Sequence, residues 1–267
     1  MRIGFLITAR LKSTRLPYKI LKDLNGRTVI ERIIDRAKEI KGISEIILCT
    51  STHSQDKPLV DIARKNDIHF YCGSEEDVLQ RLLDASKSFG LDYFLGITAD
   101  NPLFSIDASN IIVNEIDTNE YDYIKVFGLP LGCATYGMRV KALETICKIK
   151  NRIDTEIWGP LIDRPDIFNI KTIEIPEESR KSDLRLTLDY QEDYELIRHL
   201  YEVLEYDKVI HLKDVLGYLE KNLEVGNINR HCEQMKLGDN DIDKIERYYR
   251  ENRKRIMEMK DEIYNKK

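Results

Sequence analysis

Cations and hydroxyl groups are concentrated in a loop that follows the first apolar run of the chain. Residues Ile3 to Ile7 have the continuous apolar character of a buried strand. The loop after them includes five residues suited to a polyphosphate: Ala9, Arg10, Ser13, Arg15 and Lys19. Arginine forks donate paired hydrogen bonds to phosphate oxygens, lysine adds a mobile charge, and a small residue lets the backbone approach a ligand. The loop therefore predicts a phosphate site, with a solvated surface loop as the alternative.

Asp100 is a second residue suited to phosphate chemistry. It follows another apolar run, Tyr93 to Ile97, which predicts a buried strand. A carboxylate there can hold Mg²⁺, because proteins bind magnesium through one or two carboxylates together with water and substrate phosphates. The alternative is an aspartate that begins a turn before Pro102. Spacing alone leaves both interpretations open.

The elements that must position these residues alternate regularly in the first half of the chain. Strands are predicted at Ile46–Thr50, His69–Cys72 and near Tyr123–Val126, with helices between them, the first capped by Thr28. This rhythm predicts an α/β fold with a doubly wound, mostly parallel sheet. Ligands of such sheets bind at the carboxyl ends of strands, so the loop after Ile7 and Asp100 should share one edge.

The second half of the chain is less regular. Leu184 to Leu188 alternates like a strand that ends at Asp189, and Asp154 to Leu161 has a helical spacing. The tail from Asp241 to Lys267 is predicted as one charged helix, with an apolar stripe. Its charges nearly balance, so we expect a packing or partner helix rather than a nucleic-acid arm.

The net charge and the cysteine and histidine content restrict the kinds of ligand that the protein can bind. A net charge of -5 over 267 residues gives no support for nucleic acid as the main ligand, so any phosphate site must be a local basic patch. Five cysteines without a Cys-x-x-Cys pair, and five histidines without a metal-ligand spacing, predict neither disulfides nor a zinc site. No signal peptide and no apolar stretch of membrane-spanning length is apparent. We therefore expect a soluble, cytoplasmic protein without a membrane partner.

The loop also carries a family resemblance. The segment Ala-Arg-x-x-Ser-Thr-Arg-Leu-Pro-x-Lys from Ala9 to Lys19, followed by Asn25-Gly26, resembles the signature of the cytidylyltransferases that activate sugar acids. These are the CMP-3-deoxy-manno-octulosonate and CMP-sialate synthetases. Tyr18 stands where that signature usually has glycine.

Two further segments resemble the carboxylate segments of the same family. Ile-Thr-Ala-Asp-Asn-Pro, which contains Asp100, is similar to the family's Gly-Asp-x-Pro segment. Leu-Asp-Tyr-Gln-Glu-Asp, which begins at Leu188, is similar to its hydrophobic-Asp-Thr-Pro-Glu-Asp segment. The resemblance implies that Asp100 and Asp189 are the two carboxylates that hold Mg²⁺. For Asp189 the alternative is a helix N-cap with Glu192 three residues later.

The resemblance also suggests residues around the nucleotide base and the acceptor. Gly-Ser-Glu-Glu-Asp-Val-Leu-Gln-Arg, from 73 to 81, is similar to the region beside the base, so Ser74 and Arg81 are candidate nucleotide contacts. The alternative is a capping box formed by Ser74 and Asp77. Glu156 and Trp158 are candidate acceptor contacts, with core and surface positions of a helix as the alternative. Gly96 replaces an arginine of the family, so the acceptor need not be a standard sugar acid.

Together these implications define an expected enzyme. It would transfer CMP from CTP to a sugar acid or a related polyol or acid acceptor, with Mg²⁺ as cofactor, release pyrophosphate and form a homodimer. Arg15, Lys19 and Asp100 would be its catalytic residues, and residues 1–223 its nucleotidyltransferase domain, followed by a linker and charged helix over 224–267. A phosphorylated acceptor, another base, or a nucleotide-binding protein without activity are the alternatives.

Overall fold

A single seven-stranded sheet organises the chain in the computed structural model, which describes residues 1–177 and 180–265. The strands are β1 Ile3–Thr8, β2 Glu45–Ser51, β3 His69–Gly73, β4 Tyr93–Thr98, β5 Tyr123–Phe127, β6 Tyr136–Arg139 and β7 Ile170–Glu174. The helices are α1 Val29–Lys38, α2 Lys57–Lys65, α3 Val78–Ser88, α4 Ile106–Ile116, α5 Val140–Ile149, α6 Gly159–Ile162, α7 Gln191–Val203, α8 Leu212–Lys221, α9 Leu223–Gly226, α10 Asp239–Glu251 and α11 Arg253–Asn265.

The strand order places β1 and β4 side by side at the centre of the sheet. The order is β3-β2-β1-β4-β6-β5-β7, and all neighbouring pairs are parallel except those that β6 makes with β4 and β5. The progression of strands reverses between β1 and β4, where Thr8 lies beside Thr98. This is the switch point at which open α/β sheets bind ligands. The predicted mostly parallel sheet is confirmed.

Helices cover both faces of the sheet, as the doubly wound prediction required. Successive side chains of a strand point to opposite faces. Accordingly, Phe5 and Ile7 of β1 pack in one core with α1, α4 and α7, whereas Leu6 packs in a second core with α3 and α5. The continuous apolar runs of the central strands therefore follow from burial on both sides.

The C-terminal tail differs from the single helix that the sequence predicted. It forms α10 and α11, which meet at Asn252; residues 266–267 lie outside the described residues. The apolar stripe is buried within the chain, with Ile245, Tyr249 and Ile256 in the core that contains α5 and α6. The stripe is thus used in intramolecular packing and gives no support to the predicted homodimer. The predicted division at residue 223 stays a prediction.

Two other expectations about local structure are wrong. Leu184–Leu188 forms no strand; Arg185 makes only an isolated bridge to Leu131, because the segment continues directly into the loop around Asp189. Of the predicted helix Asp154–Leu161, only the part from Gly159 onward is helical, as α6. The preceding residues are irregular and pack against the loop before α3, where the Thr155 amide donates to the Glu76 carbonyl at 3.3 Å.

Candidate active site

The loop after β1 brings Lys19 between the two predicted carboxylates. Lys19 Nζ donates to Asp100 Oδ2 at 2.7 Å and to Asp189 Oδ1 at 2.8 Å. Arg15 Nη2 donates to the same oxygen of Asp189 at 2.9 Å. These residues come from three distant parts of the chain, and they meet at the carboxyl ends of β1 and β4. The predicted convergence at this edge is confirmed.

Tyr18 gives the loop the conformation that turns Lys19 toward the carboxylates. Its φ and ψ are 53° and 28°, in the left-handed region that glycine adopts without strain. The tyrosine that replaces the family's usual glycine therefore keeps a glycine-like backbone, at a cost of about 1–2 kcal/mol. A 3₁₀ turn, Lys19–Leu21, follows it.

Asp189 is held by cations on both of its oxygens. Arg185 Nη2 donates to Oδ2 at 3.0 Å, while Oδ1 receives Lys19 and Arg15. The alternative, in which Asp189 is the helix N-cap, does not hold: α7 has Tyr190 as its N-cap, and Asp193 Oδ2 accepts from the amides of Asp189 and Tyr190 at 2.8 and 3.0 Å. The Asp189 side chain is thus directed to cations rather than to the helix start.

The charges of this cluster support one another. Burial alone would raise the pKa of Asp189, but Lys19, Arg15 and Arg185 outweigh it and hold this pKa below its ordinary value. Burial likewise favours a lower pKa for Lys19, yet Asp100 and Asp189 raise it above the ordinary range. Lys19 and Asp189 are therefore both charged at neutral pH.

Arg10 joins the loop to two other predicted segments. Its Nη1 donates to the Glu75 carbonyl at 2.8 Å, and its Nη2 lies 3.3 Å from the carboxylate of Glu156. Ala9 is buried at the end of β1, where its amide donates to the Cys49 carbonyl at 3.0 Å. Ser13 is half-buried in the loop. Arg10, Glu75 and Glu156 thus line one side of the site.

Arg81 lies beneath the loop that begins α3. It is fully buried, and its Nη1 donates to the carbonyl of Ser74 at 2.5 Å. Ser74 Oγ accepts from the amide of Asp77, but the helix starts at Val78 with Asp77 as its N-cap, whose side chain accepts from the Gln80 amide. The alternative, a capping box with Ser74 as the N-cap, therefore does not hold. Arg81 therefore supports the loop backbone, and direct contact of Ser74 or Arg81 with a nucleotide stays a prediction.

Trp158 belongs to an aromatic group next to Gly96. Its ring centroid lies 4.8 Å from that of Tyr136 and 6.2 Å from that of Tyr123, both in edge-on arrangements. A Cβ on Gly96 would lie 2.1 Å from Cζ of Tyr136. The tyrosine ring therefore occupies the space in which the arginine side chain of the family would begin.

Comparison with known proteins identifies the family. The family model described as cytidylyltransferase matches residues 5–223. The chain belongs to the cytidylyltransferase family. The predicted resemblance and the predicted kind of enzyme are both confirmed: the protein is a cytidylyltransferase, which uses CTP as the nucleotide donor.

Individual relatives extend the comparison over most of the chain. An uncharacterized protein of Methanocaldococcus jannaschii, MJ1063, is 31% identical over 237 residues, covering 88% of this chain and 97% of the relative. Spore coat polysaccharide biosynthesis protein SpsF of Bacillus subtilis is 25% identical, covering 82% and 95%. The structure of a cytidylyltransferase from Leptospira borgpetersenii serovar Hardjo-bovis has a TM-score of 0.78 at 24% identity, over 89% of this chain and 100% of that one, which shows a common fold.

Three residues of this cytidylyltransferase site were missed by sequence reasoning. Arg185 and Asp193 form a buried pair, with Arg185 Nε donating to Asp193 Oδ1 at 2.9 Å. Asn229 donates to the same oxygen at 2.7 Å. A signal was present, because an arginine inside the apolar run from 184 to 188 requires a buried partner. The sequence did not indicate which carboxylate that partner would be.

The residues fit a divalent cation between Asp100 and Asp189. One ammonium group already bridges an oxygen of each carboxylate, so the two oxygens are close enough to share a single cation. The Asp100 side chain is 21% exposed and its Oδ1 is oriented by Thr98 Oγ1 at 2.5 Å. Oxygen ligands of this kind are those that Mg²⁺ prefers.

The described residues contain no helix long and apolar enough to cross a bilayer. All five cysteines of this cytidylyltransferase are unpaired thiols.

Proposed function

We propose that this cytidylyltransferase transfers CMP from CTP to a sugar acid, or to a related polyol or acid, with release of pyrophosphate, for the synthesis of a surface polysaccharide or glycan. The observation that carries the proposal is the bridge from Lys19 to Asp100 and Asp189, with Arg15 beside it, at the sheet's switch point. The carboxylates and the cations of a nucleotidyl-transfer site thus stand together. The name of SpsF supports a polysaccharide-related acceptor.

In the proposed reaction, a hydroxyl oxygen of the acceptor attacks the α-phosphorus of CTP. The bond from that phosphorus to the α–β bridging oxygen breaks, pyrophosphate leaves, and the hydroxyl proton passes to solvent. Arg15 and Lys19 offset the negative charge that builds up on the phosphate oxygens, and no covalent enzyme intermediate is required. Arg10 stands at the side of the loop, where it can hold the outer phosphates.

Asp100 and Asp189 would hold Mg²⁺, which when bound neutralises phosphate charge and favours in-line displacement. Because Lys19 and Arg15 are already paired with these carboxylates, the phosphates of CTP compete with Asp100 and Asp189 for them. The carboxylates set free in this exchange gain the capacity to bind a cation. Nucleotide and metal binding should therefore support each other.

We assign the acceptor to the side of the site formed by Glu156 and Trp158. Glu156 is 65% exposed at its side chain and lies beside Arg10, so it can accept hydrogen bonds from acceptor hydroxyl groups. Trp158 and Tyr136 offer apolar ring surface, which suits the C–H face of a sugar. Gly96 stands where the family has an arginine, and the Tyr136 ring fills the adjoining space. Recognition of the acceptor would therefore depend less on a carboxylate group of the acceptor. Assembly as a homodimer and a location in the cytoplasm remain part of the proposal, the latter supported by the unpaired cysteines.

The decisive experiment measures thermal stabilisation by CTP, UTP, ATP and GTP, each with Mg²⁺, together with pyrophosphate release in the presence of sugar acids. We expect selective stabilisation by CTP and its loss in Asp100→Asn, while Asp163→Asn, an exposed aspartate paired with Lys125, behaves like the wild type. Equal stabilisation of the wild type and Asp100→Asn by Mg²⁺ and CTP would contradict the metal role. Stabilisation by another nucleotide alone would contradict CTP as donor.

A further inference from the structure

Three metal-ligating side chains meet outside the proposed active site, beside the start of α7. Glu192 is the second residue of α7, and His231 and Cys232 follow α9. One ligand atom from each, a carboxylate oxygen, a ring nitrogen and a thiol sulfur, lies within 4.8 Å of the other two. His231 Nε2 is 3.4 Å from Glu192 Oε1. The histidine spacing in the sequence could not indicate this arrangement, because Glu192 and His231 are 39 residues apart.

We propose that Glu192, His231 and Cys232 form a binding site for a zinc-class divalent cation. Oxygen, nitrogen and sulfur together are the ligand set of Zn²⁺ and related transition metals, whereas Mg²⁺ and Ca²⁺ prefer oxygen alone. Three protein ligands leave one tetrahedral position for water.

The backbone that carries two of the ligands is fixed independently of any metal. Asn229 is 1% exposed, and its amide side chain donates to the Arg185 carbonyl at 3.0 Å and to Asp193 at 2.7 Å. The amide of Cys232 donates to the Asn229 carbonyl at 2.9 Å. Because Asp193 lies one residue after Glu192, the same network positions the third ligand. The cation would therefore meet a largely preformed site.

The charges around the site also suit a cation. The Glu192 carboxylate lies beside the Cys232 thiol, and Asp193 is the next residue of α7. Arg185 is itself neutralised by its ion pairs with Asp189 and Asp193. When the metal binds, the thiol proton passes to solvent and a metal–sulfur bond replaces the S–H bond.

The surroundings leave space for exchange with solvent. Cys232 lines a cavity of about 230 Å³ together with Arg185, Asn229, Arg230 and Gln234. His231 is two-thirds exposed at its side chain. The bound ion would connect residues 231–232 to the start of α7, close to Asp189. Gln234 follows these residues and accepts a hydrogen bond from Arg185 at 3.0 Å, so its position would also be fixed. The proposed role is thus a clamp on the segment that supports the active-site aspartate.

Cobalt titration of the untagged full chain, stripped of metal and kept reduced, tests this site without reference to activity. We expect about one equivalent of Co²⁺ to bind with a thiolate-to-cobalt charge-transfer band and tetrahedral d–d bands, and Zn²⁺ to displace it. Co²⁺ held by Asp100 and Asp189 would have oxygen ligands and would give no thiolate band. The two metal sites are therefore distinguishable in one experiment.

Matched variants assign the ligands. Cys232→Ser should abolish the charge-transfer band, and His231→Ala and Glu192→Gln should each weaken Co²⁺ binding at least tenfold. Cys72→Ser and His53→Ala, which change the same residue types elsewhere, should bind like the wild type. Absence of the band in the wild type, or its persistence in Cys232→Ser, would overturn the proposal; circular dichroism of each variant establishes that the fold is retained.

Discussion

Replacing Lys19 with methionine removes a charge that bridges Asp100 and Asp189 while keeping a side chain of similar length. Lys19 is 14% exposed at its side chain, and the side chains of Asp100 and Asp189 are 21% and 7% exposed. The substitution leaves Asp189 with Arg15 and Arg185. Asp100, in contrast, keeps the hydrogen bond from the Thr98 hydroxyl and its partial exposure to solvent. The variant therefore tests how much the fold depends on a cation at this point.

The expected loss follows from the two hydrogen bonds that disappear. A hydrogen bond to a charged group contributes about 1.5–3 kcal/mol, so two contribute about 3–6 kcal/mol in total. The cost of burying the Lys19 ammonium and the access of Asp100 to water offset part of this sum. We expect Lys19→Met to lower the free energy of unfolding by about 2–4 kcal/mol at pH 7. Mg²⁺ should restore more stability in this variant than in the wild type, because the carboxylates lack their bridging ammonium.

Urea unfolding with and without Mg²⁺ measures both effects, provided that the m-value is unchanged. Lys12→Met is the matched control, since Lys12 lies in the same loop but is 67% exposed and paired at 3.3 Å with Glu75. It should change stability by less than about 1 kcal/mol. The reasoning is refuted if Lys19→Met is as stable as Lys12→Met, or if Mg²⁺ stabilises the wild type and Lys19→Met equally.

Further predictions concern the residues that support the site. Although burial opposes it, hydrogen bonds from Thr28 hold the pKa of Glu31 at about 2 rather than 4.5. Its contribution of about 1–2 kcal/mol is thus present above pH 4.5 and lost as the pH falls through 2. Glu31→Gln should weaken the acid dependence of urea unfolding, and an unchanged dependence would contradict this. Arg185→Met should lower the free energy of unfolding by about 3–5 kcal/mol, because the fully buried Asp193 loses its paired arginine and Asp189 loses one of its three cations. A loss under about 1 kcal/mol in denaturant unfolding would contradict this. Gly96→Ala should lower the free energy of unfolding by about 1–3 kcal/mol, because its Cβ would clash with Tyr136. In calorimetry, Gly96→Ala should destabilise a Tyr136→Ala background much less than it destabilises the wild type.

The sheet and the edge that carries the site could be predicted because their signals are local. Apolar runs predicted β1 and β4, and the loops that follow these strands contain Arg15, Lys19 and Asp100. The carboxyl ends of parallel strands meet at one edge. Thr28 was found as a helix cap for the same reason, since the capping box it forms with Glu31 spans only three residues.

The partners of Arg185 could not all be predicted, because some of them are far apart in sequence. Nothing near Arg185 indicated that Asn229 would donate to its carbonyl, and the sequence analysis weighed only Asp189, not Asp193, as a residue that caps the following helix. The exact residue at which α7 begins determines that the Asp193 carboxylate accepts from the backbone amides at the helix start and that the Asp189 carboxylate faces the cations. The Leu184–Leu188 alternation failed as a strand signal for the same reason, since a buried charge network replaced the strand pairing there.

The cations and carboxylates of this site neutralise each other before any ligand arrives. If Lys19 and Arg15 were free, their burial beside β1 would be unfavourable without phosphate; if Asp100 and Asp189 were unpaired, two partly buried carboxylates would repel each other. Mutual pairing at 2.7–2.9 Å removes both penalties in the nucleotide-free protein. In the proposed reaction, binding of CTP with a metal would replace each ion pair with another, so that charge would be exchanged rather than newly buried. On this proposal, an acidic chain can hold a compact basic loop for phosphate.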